Sequence, residues 1–354
     1  MLQVKTIVSV LAFGMGALSI EGAFAAPLDI AKAQIINHVA NVEDLIQVNK
    51  NWIIGSSLSL NKTPSMGLIL FNTQNEQAEK IDLSQVKVAP DPQAFPHCPG
   101  APDFTQFNSH GLDYYPQIKT LYVVNHGGRE AIEAFTVGNE SDGKPSLTWK
   151  GCVLAPKNAW FDAVAGVKRG DLVISSLWDP TDSQRDAKLK AAKPEGGLYS
   201  WSPQQGLEPI KASEQMSGPN GVLASRDGNT IWVAVWAGKY LAKISNVQTA
   251  PVVTKKAVNY MPDNIRWAPD GEHFFSGGQA TTLTRSMQCI ASSSLCPDIK
   301  QPLNLVDKNS LAIKTLLPAS TFKGMSAGTS AIEANGKIWM STYRNDRIAV
   351  LPAS

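Results

Sequence analysis

His110 and His126 are the side chains in this sequence best suited to chemistry, two of only five histidines. Imidazole is the side chain whose ordinary pKa lets it change charge near neutral pH, so it can accept and return a proton. They sit in the phrases FNSHG and VVNHG, each followed by glycine. Between them, Tyr115-Pro116 marks a turn and Leu121-Tyr122-Val123-Val124 reads as a β-strand. That places His126 where a strand gives way to a loop, a position from which rigid scaffolds present reactive groups. A packed or surface histidine is the ordinary alternative. Two of them in Ser-His-Gly and Asn-His-Gly settings point to chemistry instead.

A second set of residues carries oxygen: Glu43-Asp44, Asp162, Asn220 and Asp263-Asn264. Carboxylates and amide carbonyls together suit a hard cation, and calcium accepts six to eight such ligands. Taken singly, each is an ordinary turn or strand-cap residue. Their recurrence at one phase of a repeat makes them a candidate shared site.

The elements that must position these residues follow from that repeat. Six segments share one phrase, in which an apolar strand, a turn and a second apolar strand follow a polar pair. They are EDLIQVNKNWIIGSS from Glu43, GLDYYPQIKTLYVVN from Gly111, DAVAGVKRGDLVISS from Asp162, GVLASRDGNTIWVAVW from Gly221, NIRWAPDGEHFFSGG from Asn264 and TSAIEANGKIWMSTY from Thr329. Alternating apolar runs joined by short turns are hairpins, and a period of roughly 40 to 70 residues is the scale of a propeller blade. A blade cannot bury both faces of its sheet alone, so neighbours stack around an axis. The predicted fold is therefore all-β, a six-bladed β-propeller over residues 26–354. The last unit has room for only three strands, and QIINHV from Gln34 to Val39 is expected to pair there and close the ring. An open β-sandwich is the rival architecture. The Asp-Gly turns at Asp227 and Asp270 lie in another phase and read as plain hairpin turns. A single short surface helix or lid is expected over Asp182 to Lys193, within an insertion from Asp179 to Gly197.

The chain has 354 residues, 43% hydrophobic and 18% charged, with a formal net charge of +2. This is a globular composition with no basic run, and it gives no reason to expect nucleic acid. Residues 1–25 read as a signal peptide, with Lys5 ahead of an apolar run and Ala23-Phe24-Ala25 as a small-x-small cleavage site. Export to the periplasm or medium is the expectation. Four cysteines in an exported chain are expected to be bridged. Cys289 and Cys296 enclose a short polar loop, so a local staple is the simplest pairing, leaving Cys98 with Cys152. Neither spacing is that of a zinc site.

Six units carrying Glu43-Asp44, FNSHG, VVNHG, GPNGV and PDNI resemble the calcium-dependent paraoxonase and arylesterase group, which belongs with the gluconolactonase-like six-bladed propellers. The resemblance runs from about Val42 to the C-terminus, and the FNSHG–VVNHG pair is its most specific part. It implies a channel with two calcium ions. Glu43, Asn220, Asp263 and Asn264 match ligands of the calcium that touches substrate. Asp44, Asp162 and the backbone carbonyl of Leu112 match those of a deeper, structural calcium. His110 matches the histidine that activates water, and His126 its partner in a relay. One position departs: the Asn-Asp pair of the family reads Phe161-Asp162 here, which removes one amide ligand. Water or Asn158 is the expected substitute.

The implied chemistry is hydrolysis of a small, largely apolar ester or lactone. Calcium stabilises the oxyanion and His110 acts as general base. No GxSxG motif suggests a serine hydrolase. A sugar lactonase and a non-catalytic ligand-binding propeller are the rival functions. No membrane anchor is expected, because the insertion from Asp179 to Gly197 carries Leu189 as its only large aliphatic residue, and an interfacial helix needs a broad apolar face. In liposome flotation the mature protein should stay in the soluble fraction; flotation with neutral lipid would contradict this.

Overall fold

The computed structural model describes residues 27–141 and 143–353. The expected signal peptide lies outside them. Within them the chain forms six sheets, antiparallel except for one edge strand, arranged as a six-bladed β-propeller. The blades begin with the strands Val42–Asn49, Ser109–Tyr115, Trp160–Gly166, Pro219–Ala224, Met261–Trp267 and Gly328–Ala334. Each of these inner strands packs on the next, and the last packs on the first, so the ring is closed.

Closure is made as the sequence requires. The strand Gln34–Asn37 pairs antiparallel with Arg347–Pro352, in the register Gln34 with Val350 and Asn37 with Arg347. It ends short of the expected Val39 because His38 turns into the left-handed region at φ 65°. Across the seam, fully buried Phe71 of the first blade meets Trp339 of the sixth edge-on, with ring centroids 6.2 Å apart. Burying rings of this size contributes about 2–3 kcal/mol each, so the seam is held by packing as well as by the ladder.

Inner strands are buried on both faces, as Leu45, Leu112, Val164, Val222 and Ile265 show. Outer strands face water. Val252–Ala257 is exposed throughout, and Lys255 and Lys256 on this edge discourage pairing with another chain. The Asp227 and Asp270 turns are hairpin turns, each with its carboxylate accepting the backbone N–H two residues on and a left-handed glycine next in sequence.

Three features depart from the simple repeat. The second blade gains a fifth strand, Lys87–Val88, parallel to Pro145–Leu154. The connection that follows is tied back by the Cys98–Cys152 disulfide across 54 residues, a cross-link of the size that restrains an unfolded chain by about 4 kcal/mol. The expected helix is shorter than the segment assigned to it: α1 spans Arg185–Lys190, and Leu189 is fully buried rather than presented to solvent. A second helix, α2, spans Leu283–Ala291 and was not expected. The Cys289–Cys296 disulfide therefore ties the end of a helix, not a plain loop. Both disulfides fit an oxidising compartment. Among the described residues no helix is long and apolar enough to cross a membrane.

Adjacent inner strands approach so closely that Gly111 has no room for a side chain. A Cβ there would lie 2.3 Å from the carbonyl oxygen of Asp162. Gly111→Ala should cost about 1–3 kcal/mol through forced backbone movement, read as a lower urea midpoint. Gly197→Ala, where the nearest atom is 3.6 Å away, should be close to neutral. Equal effects would place the strands further apart than they are here.

Candidate metal centre and histidine relay

In all six blades the inner strand loses register with its neighbour at the same place. The breaks fall between Val42 and Leu45, Ser109 and Leu112, Phe161 and Val164, Pro219 and Val222, Pro262 and Ile265, and Gly328 and Ala331. Such irregularities re-aim side chains. The residues inside the gaps include Glu43, Asp44, His110, Asp162, Asn220, Asp263 and Asn264. The polar phase seen in the sequence is thus a ring of strand irregularities around one axis.

Glu43, His110, Asp162, Asn220 and Asp263 line one pocket, of about 40 Å³. Glu43 Oε2, both carboxylate oxygens of Asp162, and the Oδ1 atoms of Asn220, Asp263 and Asn264 are buried without a hydrogen-bond partner. Native proteins leave few such atoms. Here they are all acceptors, which is what a cation requires. Glu43 and Asp263 are held by their other oxygens: Asn264 Nδ2 donates to Glu43 Oε1 at 2.7 Å, and Gln279 Nε2 to Asp263 Oδ2 at 2.5 Å. Among the described residues, His, Cys, Asp and Glu alone form no group of three that could hold a metal. A cation held here would also need the amide oxygens of Asn220 and Asn264, an all-oxygen donor set of the calcium kind rather than the zinc kind. A larger cleft of about 570 Å³ between the first two blades has no such orphaned oxygens in its lining.

Burial makes these carboxylates hard to ionise. Burial pushes the Glu43 carboxyl up to about 8 against a partial pull from Arg266. Burial, then mutual repulsion, raises Asp263 well above the usual carboxylate range. Asp162 is raised well above it by burial, with His110 partly opposing.

The two histidines meet beside this floor. His110 Nδ1 lies 3.0 Å from His126 Nε2, and His126 Nδ1 lies 2.7 Å from Glu130 Oε2. The other carboxylate oxygen of Glu130 accepts the Phe161 N–H at 2.7 Å. The chain of contacts assigns the tautomers. Glu130 accepts, so His126 donates from Nδ1 and offers its Nε2 lone pair. His110 then donates from Nδ1, leaving its own Nε2 lone pair free. That nitrogen is 3.5 Å from Glu43 Oε2. Burial lowers the pKa of both rings, so both are neutral at pH 7. Trp160 fixes the ring planes: it stacks on His126 at 4.1 Å with 3° between planes, and on Trp178 at 4.8 Å. The Arg185 guanidinium of α1 covers the far face of this stack, 5.0 Å from the Trp178 ring.

The deep position is built differently from the expectation. Asp44, Asp162 and the Leu112 carbonyl do not converge on one space. Asp162 faces the pocket with Glu43 and Asp263. The Asp44 carboxylate accepts from the N–H groups of Leu45 and Leu112, both at 2.8 Å, and from the Arg266 guanidinium through both oxygens. Arg266 also donates to the carbonyl of Leu112 at 2.7 Å and of Leu45 at 3.2 Å. A guanidinium thus occupies the place between Asp44 and the Leu112 carbonyl. Burial pulls its pKa down to about 10, and it remains charged at pH 7.

Phe161 is fully buried and meets Tyr199 edge-on, so the position supplies no ligand. Asn158 is exposed and does not replace it. Glu130, Trp160 and Arg266 are the residues the sequence reading missed. His126-to-Glu130 spacing gave no signal by itself. Arg266 had one: the matching positions of four other blades, Ile46, Ala165, Leu223 and Ile332, are apolar, and only that of the second blade, Asp113, is also charged.

These features define a six-bladed propeller with an acceptor-lined channel floor and a carboxylate–histidine–histidine chain beside it. No protein-family model matches the chain, and no curated protein does. Solved structures match it in fold. One is a catalytically inactive variant of virginiamycin B lyase from Staphylococcus aureus, with quinupristin, at 12% identity and a TM-score of 0.51, covering 91% of this chain and 99% of that one. Another is a protein of unknown function from Bacteroides thetaiotaomicron, at 10% identity and 0.53, covering 91% and 76%. At such identities the likeness is one of fold alone.

A buried acid whose folded pKa is raised binds more protons folded than unfolded, so stability falls as pH rises between the two values. For Glu43 that window runs from 4.5 to about 8. Metal-stripped protein should melt lower as pH rises across it, and Glu43→Gln should flatten the slope. Excess calcium should raise the melting temperature more at pH 8 than at pH 5. A calcium effect independent of pH would argue against these oxygens as its ligands.

Proposed function

We propose that this protein is a calcium-dependent hydrolase of small, largely apolar esters or lactones, with Glu43, Asp162, Asn220, Asp263 and Asn264 holding one cation and His110 as general base. The observation that carries this reading is the meeting of two arrangements at one point: the free lone pair of His110 Nε2 lies 3.5 Å from an orphaned oxygen of the acceptor floor. Bound there, a divalent cation supplies Lewis-acid polarisation of an ester carbonyl and offsets the negative charge that develops on its oxygen.

The chain's own residues do the rest. His110 Nε2 takes a proton from water as the water oxygen bonds to the carbonyl carbon, and returns it to the leaving alkoxide as the acyl–oxygen bond breaks. The positive charge this places on His110 is shared through His126 with Glu130, which holds both rings in the required tautomers. Leu58, Leu60, Trp160, Leu177, Trp178, Trp236 and Ile290 wall the pocket. They exclude water and favour an apolar acyl group over a hydroxylated sugar, so this reading is preferred to a sugar lactonase. Asp44 and Leu112 hold Arg266 in this scheme and bind no ion.

A base beside a cation site also suits proton abstraction from carbon, the chemistry of an elimination, and the lyase of similar fold supplies a comparison. Product mass separates the two, since hydrolysis in H₂¹⁸O adds the label and elimination adds none.

A panel of esters and lactones, assayed with calcium and after chelation, tests the proposal. His110→Gln should cut kcat by roughly a hundred- to ten-thousand-fold while leaving calcium affinity in place. Glu130→Gln should cost less, about ten- to a hundredfold, the scale of outer hydrogen-bond partners, and should shift the acidic limb of the pH–rate profile. A His110→Gln enzyme as active as the parent across pH would remove His110 as the base.

A further inference from the structure

One buried side chain joins three blades at the axis. Arg266 lies on the fifth blade, is 2% exposed, and its guanidinium reaches the Asp44 carboxylate of the first blade and the Leu112 carbonyl of the second. Its partners are five acceptor oxygens: both of Asp44, and the carbonyls of Leu45, Leu112 and Ile265. On the far side, Arg266 lines a separate cavity of about 320 Å³ with Ile46, Asp113, Leu223 and Ile332. It is absent from the lining of the upper pocket, that of Glu43, Asp162 and Asp263. A cage of carboxylate and carbonyl oxygens around one positive centre is the donor set of a calcium site, but here the positive centre is covalently part of the chain.

We propose that Arg266 is a resident cation, pinning three blades at the axis in place of a second metal ion, and that the cage around it is a calcium site that the guanidinium keeps closed. Two consequences follow from the chemistry. The joint between these blades does not depend on metal supply, since an arginine stays charged over the whole physiological range and is not lost by dissociation. Shortening the side chain exposes a buried carboxylate and several carbonyls to an empty space, the arrangement that a hard cation fills. The inference is separate from the function assigned to the upper pocket, because the two cages share no ligand.

Bound calcium is counted per chain by equilibrium dialysis on metal-stripped protein, together with melting curves. The parent should hold one ion, and Asp44→Asn should hold one as well. Arg266→Ala should hold one ion more than the parent and should show a larger rise in melting temperature on adding calcium. Asp44→Asn placed in the Arg266→Ala background should return the count to that of the parent, and Arg266→Lys should add no ion. If the upper pocket binds no metal, every count drops by one and the difference between Arg266→Ala and the parent remains, so failure of the two readings can be told apart. A parent that binds two ions, an Asp44→Asn protein that loses one, or a folded Arg266→Ala protein with no added ion would each overturn the proposal. If Arg266→Ala does not fold at any calcium concentration, the counts for the parent and Asp44→Asn decide it by the same criteria.

Discussion

A polar group buried on the axis of a closed propeller must find its partner inside the ring or hold a ligand there. That constraint governs the molecule. Six inner strands converge, each breaks register at the same place, and the side chains released there are buried together. A charge left unpaired in such surroundings costs several kcal/mol. The channel meets this demand in two ways. At the deep position the pairing is made within the chain, between Arg266 and Asp44. At the upper position several acceptor oxygens are buried without a donor.

The adjacent residues Glu43 and Asp44 show how sharply the two solutions divide. Both are acidic, both are buried, and they are consecutive in one strand irregularity. Asp44 is saturated by two backbone N–H groups and a guanidinium, so it holds the first, second and fifth blades together. Glu43 has one oxygen satisfied by Asn264 and one exposed to the pocket, so it is available to a ligand. Architecture and chemistry are separated by a single peptide bond.

The carboxylate–histidine–histidine chain beside the floor draws on another pair of blades. His110, His126 and Glu130 come from the second, while Trp160 and the backbone N–H of Phe161, which fix their orientation, come from the third. The stack continues through Trp178 to Arg185 on α1, and α2 brings Ile290 to the same pocket. Arg344, buried beneath α2, donates to the carbonyls of Cys289 and Ile290 at 3.2 and 3.1 Å, which caps the helix end that the disulfide also holds. The roof is built from insertions, but it is tied to the blades at both ends.

The polar phase of the repeat was legible in the sequence because the blade period repeats short-range information: a polar pair, an apolar strand, a tight turn. From this followed the six blades, the closing strand at Gln34 and the list of oxygen-bearing residues at one phase of the repeat, while both disulfides followed from the expected export and the short loop between Cys289 and Cys296. The alternation of a strand is a local property, so one chain segment is enough to show it. Which of those oxygens share a space is not local. Asp162 joins Glu43 and Asp263 rather than Asp44, and Arg266 takes the deep position, because of how far each side chain reaches across the axis toward strands more than a hundred residues away. Glu130 is a partner of His126 only because the loop after the strand folds back, and α2 lies in an insertion with no repeat to announce it. The sequence by itself determined the ring and the residues that line it. The tertiary structure alone decided which charges are neutralised from within and which are left for a ligand, since that depends on distances between blades that no single blade contains.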